Sequence, residues 1–296
     1  MCIKTSKIIL AVATLLAANL ACTVPGVGEP PSDASSEQAI ATAVAATLAA
    51  AESGETVPPS PTWTIQPTET PSLPEPDIVF QGISFAYDDR LVASVNAVIV
   101  PGYFDEGGMM WSTPDHIMFS FNDYLLPDTF LDPRIKVYKV SEFEAVNTNI
   151  PARFDALQEA IASQDVNSES IGIAEIFNAA QFYRAKVQFL DFQNGQGVRF
   201  LTQYGQAIAP VGWPEMFYTF QGLTDDGEYY ISAIFPANHP SLPHPNDVEM
   251  DQAFMENFES YLEQNVNALN GQDDSTFIPS LLLLDELIQS LLVEAQ

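Results

Sequence analysis

Arg184, Lys186 and Arg199 are the last three cations of the chain; no Lys or Arg follows them. They flank Asn194-Gly195, a dipeptide that suits a two-residue type I′ hairpin turn. With that turn, Gln193 faces Gln196. Side chains alternate along each strand, so Arg184, Lys186, Gln188, Arg199 and Gln203 then share one sheet face. Ala185, Val187, Phe189, Val198, Phe200 and Tyr204 share the other, and a one-residue slip would mix the two sets. A fixed cluster of three cations can hold a small anionic ligand or a partner's carboxylates. The same residues can equally offset the protein's own acids or keep a sheet face wet, because exposed ion pairs are common and contribute little.

Other reactive residue types are thinly placed. His239, His244 and Asp247 are metal-ligating types, but they lie in the Pro-rich stretch NHPSLPHPND. That stretch lacks the i, i+4 helical spacing of a zinc site, which favours a loop over a metal centre. No G-x-S-x-G is present, which leaves a serine hydrolase only a dispersed triad. With 39 acids in the chain, a pair of neighbouring carboxylates carries no information about glycosidase chemistry. Met109, Met110 and Trp111 can contact a partner or plug the end of a sheet; the plug is favoured because large apolar side chains are usually buried. No catalytic residue, metal site or cofactor is expected.

The N-terminus is more specific. Lys4 and Lys7 precede the apolar run 8–18, IILAVATLLAA. As a helix it would reach about 16 Å, against the roughly 30 Å of a bilayer core, which is the length of a secretory signal rather than a span. The run leads into Asn19-Leu20-Ala21-Cys22, which resembles the lipobox of bacterial lipoproteins. The usual pattern has Leu three residues before the Cys; here Asn19 holds that place and Leu20 follows it. The resemblance implies a signal peptide over 1–21 and lipidation of Cys22. The protein would then be held at the cell membrane or envelope, facing outside the cytoplasm. The alternative is an ordinary signal peptide cut nearby. Two or more acyl chains would make the anchoring stable. Cys2 would leave with the signal, so no thiol would remain for a disulfide or a Cys-based metal site.

The formal charge is −29, and without residues 1–21 the chain has 39 acids against 8 bases, a net −31. Such a chain lacks the basic footprint that nucleic acid requires. It is equally unsuited to lying flat on anionic lipid. No D-x-[DN]-x-[DN]-G loop supports calcium binding.

The elements that must carry these residues fall into three parts. Residues 1–21 are the signal and 22–77 a stalk. Within the stalk, Ser35 and Gln38 have capping-box spacing before an Ala-rich helix over about 36–51, whose Ile40, Val44 and Leu48 stripe is narrow enough for a spacer. Residues 56–77 hold seven prolines and read as a linker with polyproline II character, up to roughly 65 Å long. A domain over 78–296 follows. IVFQGISFAYDD, LVASVNAVIVPG, HIMFSFND and RIKVYKV read as strands, and PARFDALQEAIAS as an amphipathic helix. Hairpins are expected at Asn194-Gly195 and Asp226-Gly227, the second placing Tyr218, Phe220, Ile231, Ala233 and Phe235 on one face. Helices over 247–269 and 279–294 close the chain, the second with Pro279 in its first turn.

Hairpins with helices collected at the end predict an α+β class with an antiparallel sheet. The predicted function is a membrane-anchored binding or assembly module rather than an enzyme, with an unknown protein or a small anionic ligand as partner. An extracytoplasmic hydrolase with a dispersed site and a structural envelope protein are the alternatives. A hydrolase should show a deep pocket with convergent polar groups and perturbed titrations.

Overall fold

The computed structural model describes residues 75–104, 112–175 and 178–294. Cys22, the predicted helix over 36–51, most of the Pro-rich linker, and Met109, Met110 and Trp111 lie outside the described residues. In chain order the strands are β1 (Ile78–Phe80), β2 (Ile83–Phe85), β3 (Ser94–Val100), β4 (His116–Asn122), β5 (Arg134–Lys139), β6 (Ala180–Gln181), β7 (Ala185–Phe192), β8 (Gly195–Thr202), β9 (Tyr204–Gly205), β10 (Phe217–Thr224), β11 (Tyr229–Pro236) and β12 (Leu292–Val293). Two helices, α1 (Val140–Val146) and α2 (Ile150–Ser163), follow β5; α3 (Gln252–Glu256), α4 (Phe258–Asn270) and α5 (Leu281–Gln289) follow β11.

The class is α+β. Seven strands form one antiparallel sheet in the order β3-β4-β5-β11-β10-β8-β7, and β1, β2 and β12 form a small second sheet. Both faces of the large sheet are covered. Tyr218, Phe220, Ile231, Ala233 and Phe235 pack on one face under α4, α5 and the small sheet. Val198, Phe200, Phe217, Tyr230 and Ile234 pack on the other under α1 and α2. Every residue of β10 is therefore buried, and its strand reads as a continuous run rather than an alternation. Among the described residues no helix is long and apolar enough to cross a membrane.

The hairpin of β10 and β11 has the expected face, with Tyr218 opposite Phe235 and Phe220 opposite Ala233. Gly227 turns it at φ 71°. The β7–β8 hairpin differs by one step in its loop. Phe192 pairs with Gly195, so Gln193-Asn194 is the loop. Gly195 is a strand residue whose absent side chain makes room: a Cβ there would sit 2.2 Å from Phe192 Cζ and 2.4 Å from the Leu223 carbonyl oxygen. The register moves by two, pairing Phe189 with Val198 and Gln188 with Arg199 rather than with Phe200 and Leu201, and an even shift keeps the expected faces. A bulge between Ala185 and Gln188 then turns Ala185 over to pair with Leu201.

Other expectations are corrected. IVFQGISFAYDD folds as the β1–β2 hairpin, because Gln81 and Gly82 adopt left-handed backbone (φ 51° and 75°). The end of RIKVYKV turns into α1, with Phe143 buried. The helix expected over 247–269 breaks at Asn257 into α3 and α4, and Asp251 caps α3 by accepting from Phe254 N. The last helix starts after Ser280 and stops at Gln289, since Leu292–Val293 pair with β2 instead. Pro279 therefore precedes the helix.

Candidate functional site

Arg184, Lys186 and Arg199 line one open cavity of about 550 Å³ at the β7 edge of the sheet. Its walls come from three places: the loop after α2 (Val166, Asn167), the β7 bulge, and α4 with the turn that follows it (Val266, Asn267, Asn270, Asp274). The bulge makes the site. Lys186 stands at φ 53°, a left-handed conformation that costs a non-glycine residue about 1 kcal/mol or more. Its N–H donates to Asn270 Oδ1 (2.7 Å), which holds that conformation from α4.

The three cations have different neighbours. Arg199 is 1% exposed. It donates to the Lys186 carbonyl, to Gln188 Oε1 (2.6 Å) and to Asp274 Oδ2. Its Nη2 also donates to Asp285 Oδ2 (3.3 Å), and its Nε lies 3.3 Å from Asp285 Oδ1 without a hydrogen bond of its own. The guanidinium is thus a hub inside the fold, offsetting the protein's own acids rather than keeping a sheet face wet. Helix α5 and the 3-10 turn Asp274–Thr276 cover that face and bring the acids with them. Lys186 Nζ reaches Asp274 Oδ1 at 2.5 Å and the Gln272 carbonyl at 2.8 Å. Arg184 is half-buried, and its Nη1 donates to the carbonyls of Ser168 (2.8 Å) and Ile171 (2.6 Å), tying the loop after α2 to the sheet edge.

Asp274 and Asp285 are the residues that sequence reasoning missed. Asp285 is 6% exposed and accepts from Tyr218 Oη at 2.9 Å. Burial pushes its carboxyl up to about 6 against the pull of Arg199, with the negative charge of Asp274 adding to the rise. A sequence signal existed: Asp285 stands four residues after Leu281 and three before Ile288, on the buried side of α5.

A second polar cluster lies under the opposite face. Glu175 accepts from Lys136 Nζ (2.7 Å), Tyr138 Oη (2.6 Å) and Ser232 Oγ (2.7 Å). Burial alone would raise its carboxyl; Lys136 and the three hydrogen bonds overcome that and hold it down to about 2. Every oxygen is satisfied, which makes the cluster a clamp between β5, β11 and the loop after α2.

The histidines do not converge. His239 Nδ1 lies 2.7 Å from Ser241 Oγ and its Nε2 3.0 Å from Thr276 Oγ1, while His244 packs on Trp213. With Thr276 rather than a carboxylate on the far nitrogen, His239 lacks the orienting acid of a triad. Among the described residues no three His, Cys, Asp or Glu side chains gather to hold a metal ion.

The chain matches no protein-family model, no curated protein and no solved structure.

Proposed function

We propose that this protein is a lipid-anchored binding module, held at the membrane through Cys22, whose cavity at the β7 edge takes a small anionic ligand. The anchor rests on the N-terminal sequence, and the fold is compatible with it. The observation that carries the ligand class is the supply of hydrogen-bond donors in the cavity. Arg184 uses Nη1 on two carbonyls, and among the described residues its Nε and Nη2 make no hydrogen bond. Lys186 adds a second cation at the same wall. Arg199 is buried, with Nη1 and Nη2 engaged, and serves to hold Asp274 and the bulge in place.

Net charge argues against an anion only at long range. The Debye length is about 8 Å at physiological salt, so distant acids are largely screened while a cation in contact is not. The cavity lining has three cations and one carboxylate, Asp274, which pairs with Lys186 and Arg199 and leaves Arg184 without an acidic partner among the described residues. The mixed amide lining of Asn167, Gln188 and Asn267 suits a ligand with hydroxyls beside its carboxylate or phosphate.

Titration calorimetry with inorganic phosphate and with citrate tests the site. Saturable binding to the full chain, weakened at least tenfold in Arg184→Gln while its circular dichroism spectrum shows it folded at the assay temperature, supports the reading. No saturable binding of either probe, or equal binding by the variant, overturns it. The anchor is tested separately. Cys22→Ser should release the protein from membranes, and mass spectrometry of the mature N-terminus should show acylated Cys22; an unmodified Cys22 in membrane-bound protein would end that part.

A further inference from the structure

We infer that strand β3 is a self-association edge, on which two copies of this chain pair antiparallel about a two-fold axis at Ala97. The inference does not depend on the ligand or on the anchor.

The ladder fixes what β3 presents. Phe121 N donates to the Pro133 carbonyl, in the same register that pairs Ile117 with Val137, so the odd residues of β4 bond toward β5. Its even residues bond toward β3, where Met118 faces Val98 and Ser120 faces Asn96. The N–H and C=O groups of Val95, Ala97 and Ile99 therefore point away from the sheet. Among the described residues nothing hydrogen-bonds to them.

The two edges of the sheet are treated differently. β7 is interrupted by its bulge, has the Lys186 N–H taken by Asn270, and is closed at its end by Gln193 N donating to the Leu291 carbonyl. β3 has none of these devices. Its sequence SVNAVIV contains no charge, no proline and no glycine, the composition of a strand free to accept another. Ile99 is 55% exposed at its end.

A second copy fits for three reasons. Ala97 is the central residue of Ser94–Val100, so a two-fold axis there pairs Ala97 with its counterpart and Val95 with Ile99 of the other copy. That arrangement satisfies all the outward groups with about six hydrogen bonds. It also sets apolar side chains opposite one another on the face where Val95 and Ala97 already pack against the core. Finally, in a chain of net −29 an uncharged seven-residue strand is where two copies repel least.

The test uses the full chain with Cys2→Ser and Cys22→Ser, so that any disulfide comes from an introduced thiol. Ala97→Cys should give a disulfide-linked dimer on mild oxidation, because paired Cα atoms stand about 5.5 Å apart, within disulfide reach. Val95→Cys alone should not, and an equimolar mixture of Val95→Cys with Ile99→Cys should. Without added cysteines the chain should sediment as a concentration-dependent dimer that strengthens as salt rises from low to physiological. Ile99→Glu, at an exposed position, should sediment as a monomer with an unchanged circular dichroism spectrum. A monomer at about 100 μM in physiological salt, or cross-linking of Val95→Cys as efficient as that of Ala97→Cys, overturns the inference, and either would leave the edge to another protein or to none.

Discussion

Arg199 of β8 and Asp285 of α5 stand 3.3 Å apart inside the fold, yet burial keeps the carboxyl proton up to about pH 6. The guanidinium is shared with Asp274, and its attraction does not offset the loss of water around Asp285. An acid whose pKa is raised in the folded state binds its proton more tightly there than in the unfolded chain. It therefore favours folding at low pH, and that contribution is lost as pH rises from near 4 to near 6. A shift of about two units corresponds to roughly 3 kcal/mol as an upper bound. The stability of the wild type relative to Asp285→Asn should fall by up to that amount across the window. Urea unfolding of both proteins at pH 4, 5, 6 and 7 measures it; a difference that stays flat, or grows with pH, contradicts the raised pKa.

Glu175 behaves in the opposite sense. Its pKa is held near 2, below the usual 4.5, so its stabilisation is complete above about 4.5 and is lost as pH falls toward 2. Removing the charge leaves the half-buried Lys136 without its partner and Tyr138 and Ser232 with a weaker acceptor, and breaking a buried pair costs up to about 3–5 kcal/mol. Glu175→Gln should lose roughly that much at pH 7, and its acid unfolding limb between pH 4.5 and 2.5 should be shallower than that of the wild type. An unchanged acid limb would mean that Glu175 titrates normally.

How far the sequence could be read follows from what each signal measures. The alternation in YISAIF and the turn at Asp226-Gly227 report local backbone and one buried face, and both appear in β10 and β11. Burial of the second face was not legible, because residues such as Thr219, Gln221 and Ser232 look solvent-facing in isolation. They are buried by bonding to one another and to Glu175, which lies more than 40 residues upstream of Thr219. The same holds at the cavity. Arg184, Lys186 and Arg199 were legible as a cluster because one hairpin carries them. Asp274 and Asp285 were not, because α5 and the turn before it reach Arg199 only through the tertiary fold. Gly195 was misread for a third reason. A glycine beside asparagine reads as a turn, while here it is required by the approach of Phe192 and the Leu223 carbonyl.

The same close approach recurs one turn of the pleat away. Gly197 pairs with Gly222 across β8 and β10. A Cβ at 197 would lie 2.4 Å from the Gln221 carbonyl oxygen and 2.4 Å from Phe220 Cζ. The carbonyl belongs to a central strand and cannot move without disturbing the ladder on both sides. Gly197→Ala should therefore destabilise by about 1–3 kcal/mol, the cost of overpacking a filled core. Gly227→Ala, where a Cβ meets nothing within 4 Å but φ is 71°, should cost about 1 kcal/mol from backbone strain alone. Equal losses in the two variants, measured by denaturant unfolding, would show that the contact at 197 relaxes freely.

Asn270 links the helix layer to the cavity through a single hydrogen bond to Lys186 N. Without that acceptor, the strained φ of Lys186 loses the contact that holds it from α4, and the ammonium loses its fixed position beside Asp274. Asn270→Ala should cost only about 0.5–1.5 kcal/mol, since one hydrogen bond is removed at the surface. Its effect on phosphate binding should be larger in proportion, about tenfold, because the cation is displaced from the cavity wall. Lys186→Gly separates the two roles. It relieves the backbone strain and removes the ammonium, so it should keep or raise stability while abolishing Lys186-dependent binding. If Asn270→Ala binds phosphate as tightly as the wild type, the bulge holds its shape without α4, and the cavity is set by the sheet alone.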